Sequence, residues 1–259
     1  MRGLAAQLCL WIVSFPASGS ATLGDVEPPS KSQVKKAGRV LRKYLRGDPE
    51  YQMAHTGQAL AAMEVVKEFR GAHAVPLMSA NNGLRSMLRT SGCPIEVSMR
   101  LKRMDTILDK ICREHTLSLA SMQDIGGVRA VLDDVEQIRR VEARIRKNRP
   151  VTQYSDYITT PRQSGYRGVH VVVTYGVDDR QIEIQLRTKL MHEWAVGVET
   201  LSSRRGVNYK QDGSSPAQNF MAVVSEAMAI EESGETPPDV LIRRIESLRA
   251  IAFPESESR

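Results

Sequence analysis

Gln181-Ile182-Glu183-Ile184-Gln185-Leu186-Arg187 alternates apolar and polar residues without a break. A strand with this pattern turns Ile182, Ile184 and Leu186 to one face and Gln181, Glu183, Gln185 and Arg187 to the other. Just upstream, residues 169–175 form a β-branched run that ends at Gly176. The Asp178-Asp179 pair between the two runs predicts a hairpin. A Glu, a Gln and an Arg in a row along one face can hold a metal, orient a hydroxyl and clamp a phosphate. An antiparallel strand with its polar face in water has the same alternation, so the pattern alone leaves both readings open.

Outward from the hairpin, Gln163-Ser164-Gly165-Tyr166-Arg167-Gly168 sets glycines on either side of a Tyr-Arg pair directly before a strand. Glycine lets a backbone come close to a ligand, a tyrosine on such a loop can stack on a base, and an arginine can bind phosphate bidentately. A plain turn with an exposed tyrosine reads the same way. Further upstream, Asp124-Ile125-Gly126-Gly127-Val128-Arg129 places a carboxylate just before a strand over residues 128–133 and an arginine inside it. An aspartate at a sheet edge is a usual Mg²⁺ ligand position in phosphoryl-transfer sites; it is equally a turn cap.

Helical patterns are expected over residues 31–45, 54–74, 95–113, 135–147, 190–199, 217–232 and 239–252. Pro76 is read as ending the second of these. In the third, Leu101, Met104, Ile107, Leu108 and Ile111 form one stripe bordered by Arg103 and Lys110. Asn81-Asn82-Gly83 reads as a turn or helix start and Gly92-Cys93-Pro94 as a break. The order of helices, strand, helix, strands, helices predicts an α+β domain, a mixed β-sheet flanked by helices. Three regions follow: a tail over residues 1–30, a helical region over 31–94, and a domain over 95–259 that carries the chemistry.

The chain of 259 residues has 41% hydrophobic and 25% charged residues, the balance of a globular protein. Its net charge of +6 suits nucleotide phosphates or nucleic acid. The three cysteines have no zinc or CxxC spacing and the histidines no HExxH pattern. No Walker A, GxGxxG or kinase signature occurs. The apolar run after Arg2, residues 4–15, resembles a short secretory signal. It is too short for a membrane helix, which needs ~20 residues, so no membrane partner is expected. A nucleotide substrate argues for a cytoplasmic location instead.

Taken in order, Gln123 to Arg129, Asp156 to Arg162, Ser164 to His170, Glu183 to Thr188, Met191 and Trp194-Ala195 resemble the synthetase domain of RelA/SpoT enzymes, over about residues 100–210. The resemblance implies a nucleotidyltransferase-like fold and transfer of the β,γ-pyrophosphate of ATP to the 3′-hydroxyl of GDP or GTP, giving (p)ppGpp. It implies Mg²⁺ on Asp124 and Glu183, with Glu183 as general base. Arg100 and Arg129 would sandwich adenine, and Lys102 and Lys110 would meet the ATP phosphates from a basic helix. Tyr166 would stack on the acceptor base; Arg162, Arg167, His170, Gln185 and Arg187 would surround the acceptor and its phosphates. Asn208 would touch the acceptor base. Small synthetases of this kind are often homo-oligomers.

The sequence departs from the family pattern in places. Thr106 and Gly168 stand where serine is usual, Arg162 where lysine is usual, and Thr200 where histidine is usual. Residues 202–206 lengthen the link to Asn208. The last two departures lie on the acceptor side and put acceptor identity in doubt, and two other readings stay open. One is a toxin-type synthetase that acts on the tRNA 3′-CCA end, its RNA held by Lys35, Lys36, Arg42, Lys43, Arg204 and Arg205. The other is a non-catalytic nucleotide-binding module.

Overall fold

A computed structural model describes residues 27–176, 178–207, 209 and 214–254. Asn208 and the signal-like N-terminal run lie outside the described residues. Among those described, no helix is long and apolar enough to cross a membrane. The chain divides into two compact units: residues up to Leu77 with Arg100–Gly126, and Met78–Met99 with residues from Gly127 onward.

The first unit is helical. Helix α1 (Lys31–Arg46) starts on Ser30, whose side chain and Gln33 form a capping box. Helix α2 (Pro49–Gly71) starts on Asp48 with proline in its first turn, where a missing N–H costs nothing. Both pack with α4 (Met104–Arg113) around Val34, Leu41, Val66, Ile107, Ile111, Leu119 and Ile125. An ideal Cβ at Gly38 would sit 2.8 Å from Leu119 Cβ, so α1 lies close against the turn at Leu119–Ser121. Arg42 donates to the carbonyls of Ile111 (2.6 Å) and Leu117, and Arg46 to that of Cys112. Two cations thus cap the electronegative end of α4. Because residues 100–126 share a core with α1 and α2, compact packing divides the chain differently from a sequence boundary at residue 94.

The second unit is built on a mixed five-stranded sheet in the order β1-β2-β5-β4-β3. Its strands are β1 (Glu96–Leu101), β2 (Gly126–Leu132), β3 (Val151–Asp156), β4 (Val169–Tyr175) and β5 (Arg180–Thr188). The hairpin forms as expected: β4 and β5 pair antiparallel from Val169↔Leu186 to Tyr175↔Arg180. Ile182, Ile184 and Leu186 are buried. Helix α5 (Val135–Asn148) lays Ile138, Val141 and Ile145 into the core. Helices α6 (Lys189–Arg205), α7 (Pro216–Glu232) and α8 (Asp239–Ala252) complete the chain.

Three expectations fail for physical reasons. Residues 95–113 are not one helix: they are β1, a break at Lys102-Arg103, and α4. The period-two spacing of Val97, Met99 and Leu101 was the overlooked signal, and it places Arg100 on a strand and Lys102 between elements. Asn81-Asn82-Gly83 does not break the chain; it lies inside helix α3 (Ala74–Thr90). Burial of Ala80, Leu84 and Leu88 along one side outweighs the cost of one helical glycine, about 1 kcal/mol. Pro76 does not end the second helix, which stops at Gly71; it lies in the first turn of α3, where a missing N–H costs no helical bond.

Candidate active site

In the first unit Asp124 sits two residues ahead of β2. Lys102 Nζ lies 2.8 Å from its Oδ2, and Lys110 Nζ 3.1 Å from both oxygens. The backbone of Lys102 is fixed at both ends. Its N–H donates to Ile125 O (2.8 Å), and its carbonyl accepts from Arg70 Nε (2.7 Å). Lys110 comes from the last turn of α4. The Asp124 side chain is 24% exposed, so one carboxylate neutralises half of a two-ammonium pair within reach of solvent. Arg100 is exposed on β1.

In the second unit the polar face of β5 is a hydrogen-bonded circuit and not a solvated surface. Glu183 Oε1 lies 2.9 Å from His170 Nδ1, and Oε2 accepts from Gln185 Nε2 at 2.6 Å. His170 Nε2 lies 2.5 Å from the Tyr166 hydroxyl. Arg187 donates to that hydroxyl (Nη2 2.9 Å, Nε 3.2 Å) and to Gln185 Oε1 (3.1 Å). With the His170 proton on Nδ1, every donor points the same way. Charge-assisted bonds then run from the Arg187 guanidinium to the Glu183 carboxylate along two arms, one through Tyr166 and His170 and one through Gln185.

The loop before β4 makes this circuit fit. Gly168 has φ +148, and a Cβ there would lie 3.2 Å from Leu186 O and 3.3 Å from both Arg187 Cγ and Tyr166 Oη. Gly168 is therefore matched to a buried tyrosine and arginine. Tyr166 is 6% exposed, ringed edge-on by Tyr157, His170 and Trp194. Burial pushes its hydroxyl pKa up, and Arg187 offsets part of that. The Tyr166 ring expected to stack on the acceptor base is buried, and its hydroxyl is bonded to His170 and Arg187.

Arg187 is 3% exposed, and its Nη1 has no hydrogen-bond partner among the described residues. A buried donor of that kind is costly unless something accepts from it, which suits an incoming anion. Arg167 is not available for the acceptor phosphates expected of it. Its guanidinium is buried against Glu232 of α7. Arg162 is exposed, lies 4.4 Å above the Tyr157 ring and donates to its hydroxyl at 2.7 Å. Arg129 is partly buried in β2. Sequence reasoning assigned no role to Tyr157, Glu232 or His192. Burial, then Arg129 and Arg187, lower the His192 pKa. Nothing in a lone histidine on a helix signals that neighbourhood.

Residues 99–214 match the sequence profile described as "Region found in RelA / SpoT proteins". GTP pyrophosphokinase YjbM of Bacillus subtilis is 35% identical over 134 residues, 48% of this chain and 61% of that protein. GTP pyrophosphokinase rsh of Brucella melitensis is 26% identical over 178 residues, 64% of this chain and 24% of that protein. The chain therefore spans less than two thirds of the length of these curated relatives. Among solved structures, small alarmone synthetase 2 of Bacillus subtilis superposes with a TM-score of 0.56 at 18% identity. It covers 69% of this chain and 97% of that one, which shows a shared fold. Small alarmone synthetase 1 of the same organism, bound to its product pppGpp, superposes with a TM-score of 0.51 at 26% identity. It covers 69% of this chain and 94% of that one.

Proposed function

We propose that this chain, whose residues 99–214 match the profile of the RelA/SpoT region, transfers the β,γ-pyrophosphate of ATP to the 3′-hydroxyl of GDP or GTP. The observation that carries the reading is the two-armed circuit ending on Glu183. A carboxylate held by two donors on a rigid strand is a positioned acceptor for a hydroxyl proton. In this reading the acceptor hydroxyl gives its proton to Glu183 as its oxygen attacks the β-phosphorus in line, the bond from that phosphorus to the α,β-bridging oxygen breaks, and AMP leaves. His170 and Gln185 keep the carboxylate oriented, and Tyr166 acts through His170. The free Nη1 of Arg187 binds a phosphate oxygen.

Asp124, Lys102 and Lys110 serve the ATP side. Among the described residues no cluster of three or more His, Cys, Asp or Glu exists. Mg²⁺ is usually held by one or two carboxylates with substrate phosphates and water, not by a protein cage. Asp124 and Glu183 are the carboxylates proposed to hold it. When bound, the metal neutralises charge on the transferring phosphoryl groups. Lys102 and Lys110 would then be free of Asp124 to meet the phosphates. Arg100 and Arg129 are proposed for adenine, and Arg162 and Asn208 for the acceptor. The pppGpp on the Bacillus subtilis relative supports a guanosine acceptor. Pyrophosphoryl transfer asks the protein mainly for positioning and charge neutralisation, which these groups offer.

The test offers γ-labelled ATP with GDP, GTP or tRNA and follows the label. Labelled guanosine nucleotide is expected. Label in tRNA would replace the acceptor, and metal-dependent ATP binding with no transfer would make the chain a binding module. Of the cations considered for RNA, Arg42 is committed to main-chain carbonyls.

A further inference from the structure

Glu232 is the last residue of α7 and lies past the end of the matched region at residue 214. No pattern in the sequence marks it. One of its oxygens accepts from Arg167 Nη1 in the Ser164–Gly168 loop, and the other accepts from Thr188 Oγ1. Thr188 follows Arg187 directly and is the N-cap of α6. A single carboxylate thus ties together the loop that carries Tyr166 and the strand end that carries Arg187.

The local chemistry of the helix does not favour this placement. An acidic side chain at a helix C-terminus opposes the macrodipole, and the last turn of α7 has no basic residue. The Arg167 and Glu232 side chains are only 9% and 8% exposed. A buried pair of this kind is weak as a source of stability and better suited to specifying geometry.

The same helix braces the loop at a second point. Gly165 has φ +87, and a Cβ there would lie 2.7 Å from Ala222 Cα and 3.1 Å from Ser225 Cβ. Ser225 Oγ donates to Gly165 O at 2.6 Å. Trp194 of α6 donates to Met221 O at 2.7 Å, which holds α7 to α6. The loop backbone bonds to its own flank, through Gly165 N–H to Arg162 O (2.8 Å), Arg162 N–H to Tyr166 O (3.1 Å) and Tyr157 N–H to Gly168 O (2.9 Å).

We infer that α7 is the brace of the acceptor loop and that Glu232 is a positioning residue for the transfer, acting through Arg167 and Thr188 on the Tyr166–Arg187 contact. The inference rests on the proposed transfer for its kinetic readout and on the loop geometry alone for its physical one. Glu232→Gln removes the charge in a near-isosteric side chain. In the full chain it should raise the KM for the guanosine acceptor roughly tenfold while the ATP KM stays within about twofold. Amide exchange at residues 164–168 should quicken while β4 and β5 keep their protection. Ser225→Ala, a milder change on the same helix, should quicken exchange at the same residues and raise acceptor KM by about threefold; it serves if Glu232→Gln does not fold.

A lowered melting temperature with both KM values and loop exchange unchanged would overturn the inference. So would faster exchange spread over the whole unit, since either result makes Glu232 a stability residue only. Wild-type protein that transfers nothing would sink the proposed function instead. Loop exchange in the two variants would still decide whether α7 braces the loop.

Discussion

Asp124 and Glu183 are the two carboxylates proposed for the chemistry, and their surroundings differ. Asp124 meets two ammonium groups on four-carbon stems and keeps about a quarter of its side chain in solvent. Glu183 ends two hydrogen-bonded arms that start from one buried guanidinium. Flexible lysines can exchange a carboxylate for a phosphate at little cost, whereas a planar guanidinium and a buried tyrosine hold one geometry. The first arrangement suits a partner that arrives with its own charge and counter-ion. The second suits a proton acceptor that must not move.

The largest expected effect breaks the rigid side. Glu183→Gln should lower turnover by at least about 10⁴-fold, since a general base alone contributes ~10²–10⁴ and loss of its charge adds to that. Circular dichroism should be unchanged, because the amide can still accept from His170. A folded variant with near-wild-type turnover would remove Glu183 from the mechanism.

Asp124→Asn breaks the flexible side and leaves Lys102 and Lys110 facing each other without a counter-charge. Transfer should fall about 10²–10³-fold and lose its response to divalent metal. Binding of an ATP analogue without metal should survive, because both ammoniums remain. Loss of that binding together with transfer would show the carboxylate to be a fold element.

Tyr166→Phe sharpens the contrast by cutting one arm and sparing the other. It strands Arg187 Nε and His170 Nε2, which should cost about 1–3 kcal/mol of stability, read as a lower urea midpoint. Turnover should drop by about tenfold, because Gln185 still holds Glu183. A loss as large as that of Glu183→Gln would mean the tyrosine touches substrate directly.

The smallest expected effect concerns pH. His192 has its folded pKa lowered by burial and by Arg129 and Arg187. The unfolded chain therefore takes up its proton first as pH falls below about 6.5. Stability from this group is fully present above that pH and is lost on acidification toward its folded pKa. His192→Gln should flatten the pH 5–7 part of a urea-midpoint profile; an unaltered slope would clear His192 of that coupling.

Local patterns made the hairpin, α5, α7 and α8 readable, because strict alternation and 3.6-residue stripes lie within one element. They failed at β1, where a stripe running on from α4 hid a period-two segment. They failed again at Asn81-Asn82-Gly83, where buried neighbours overrode breaker residues. For the site, residue types at Glu183, Gln185, Arg187 and His170 pointed to one face of one hairpin, and pairing of β4 with β5 put them there.

By itself, then, the sequence determined the strand that carries Glu183, the glycines that open the loop before it, and the RelA/SpoT likeness of residues 99–214. Tertiary structure alone decided that Tyr166 is buried, that Arg167 pairs with Glu232 65 residues away, and that two lysines share Asp124. Backbone periodicity records which way a side chain leaves its own element. Which partner it meets depends on distant segments brought together by burial, and no local pattern encodes that.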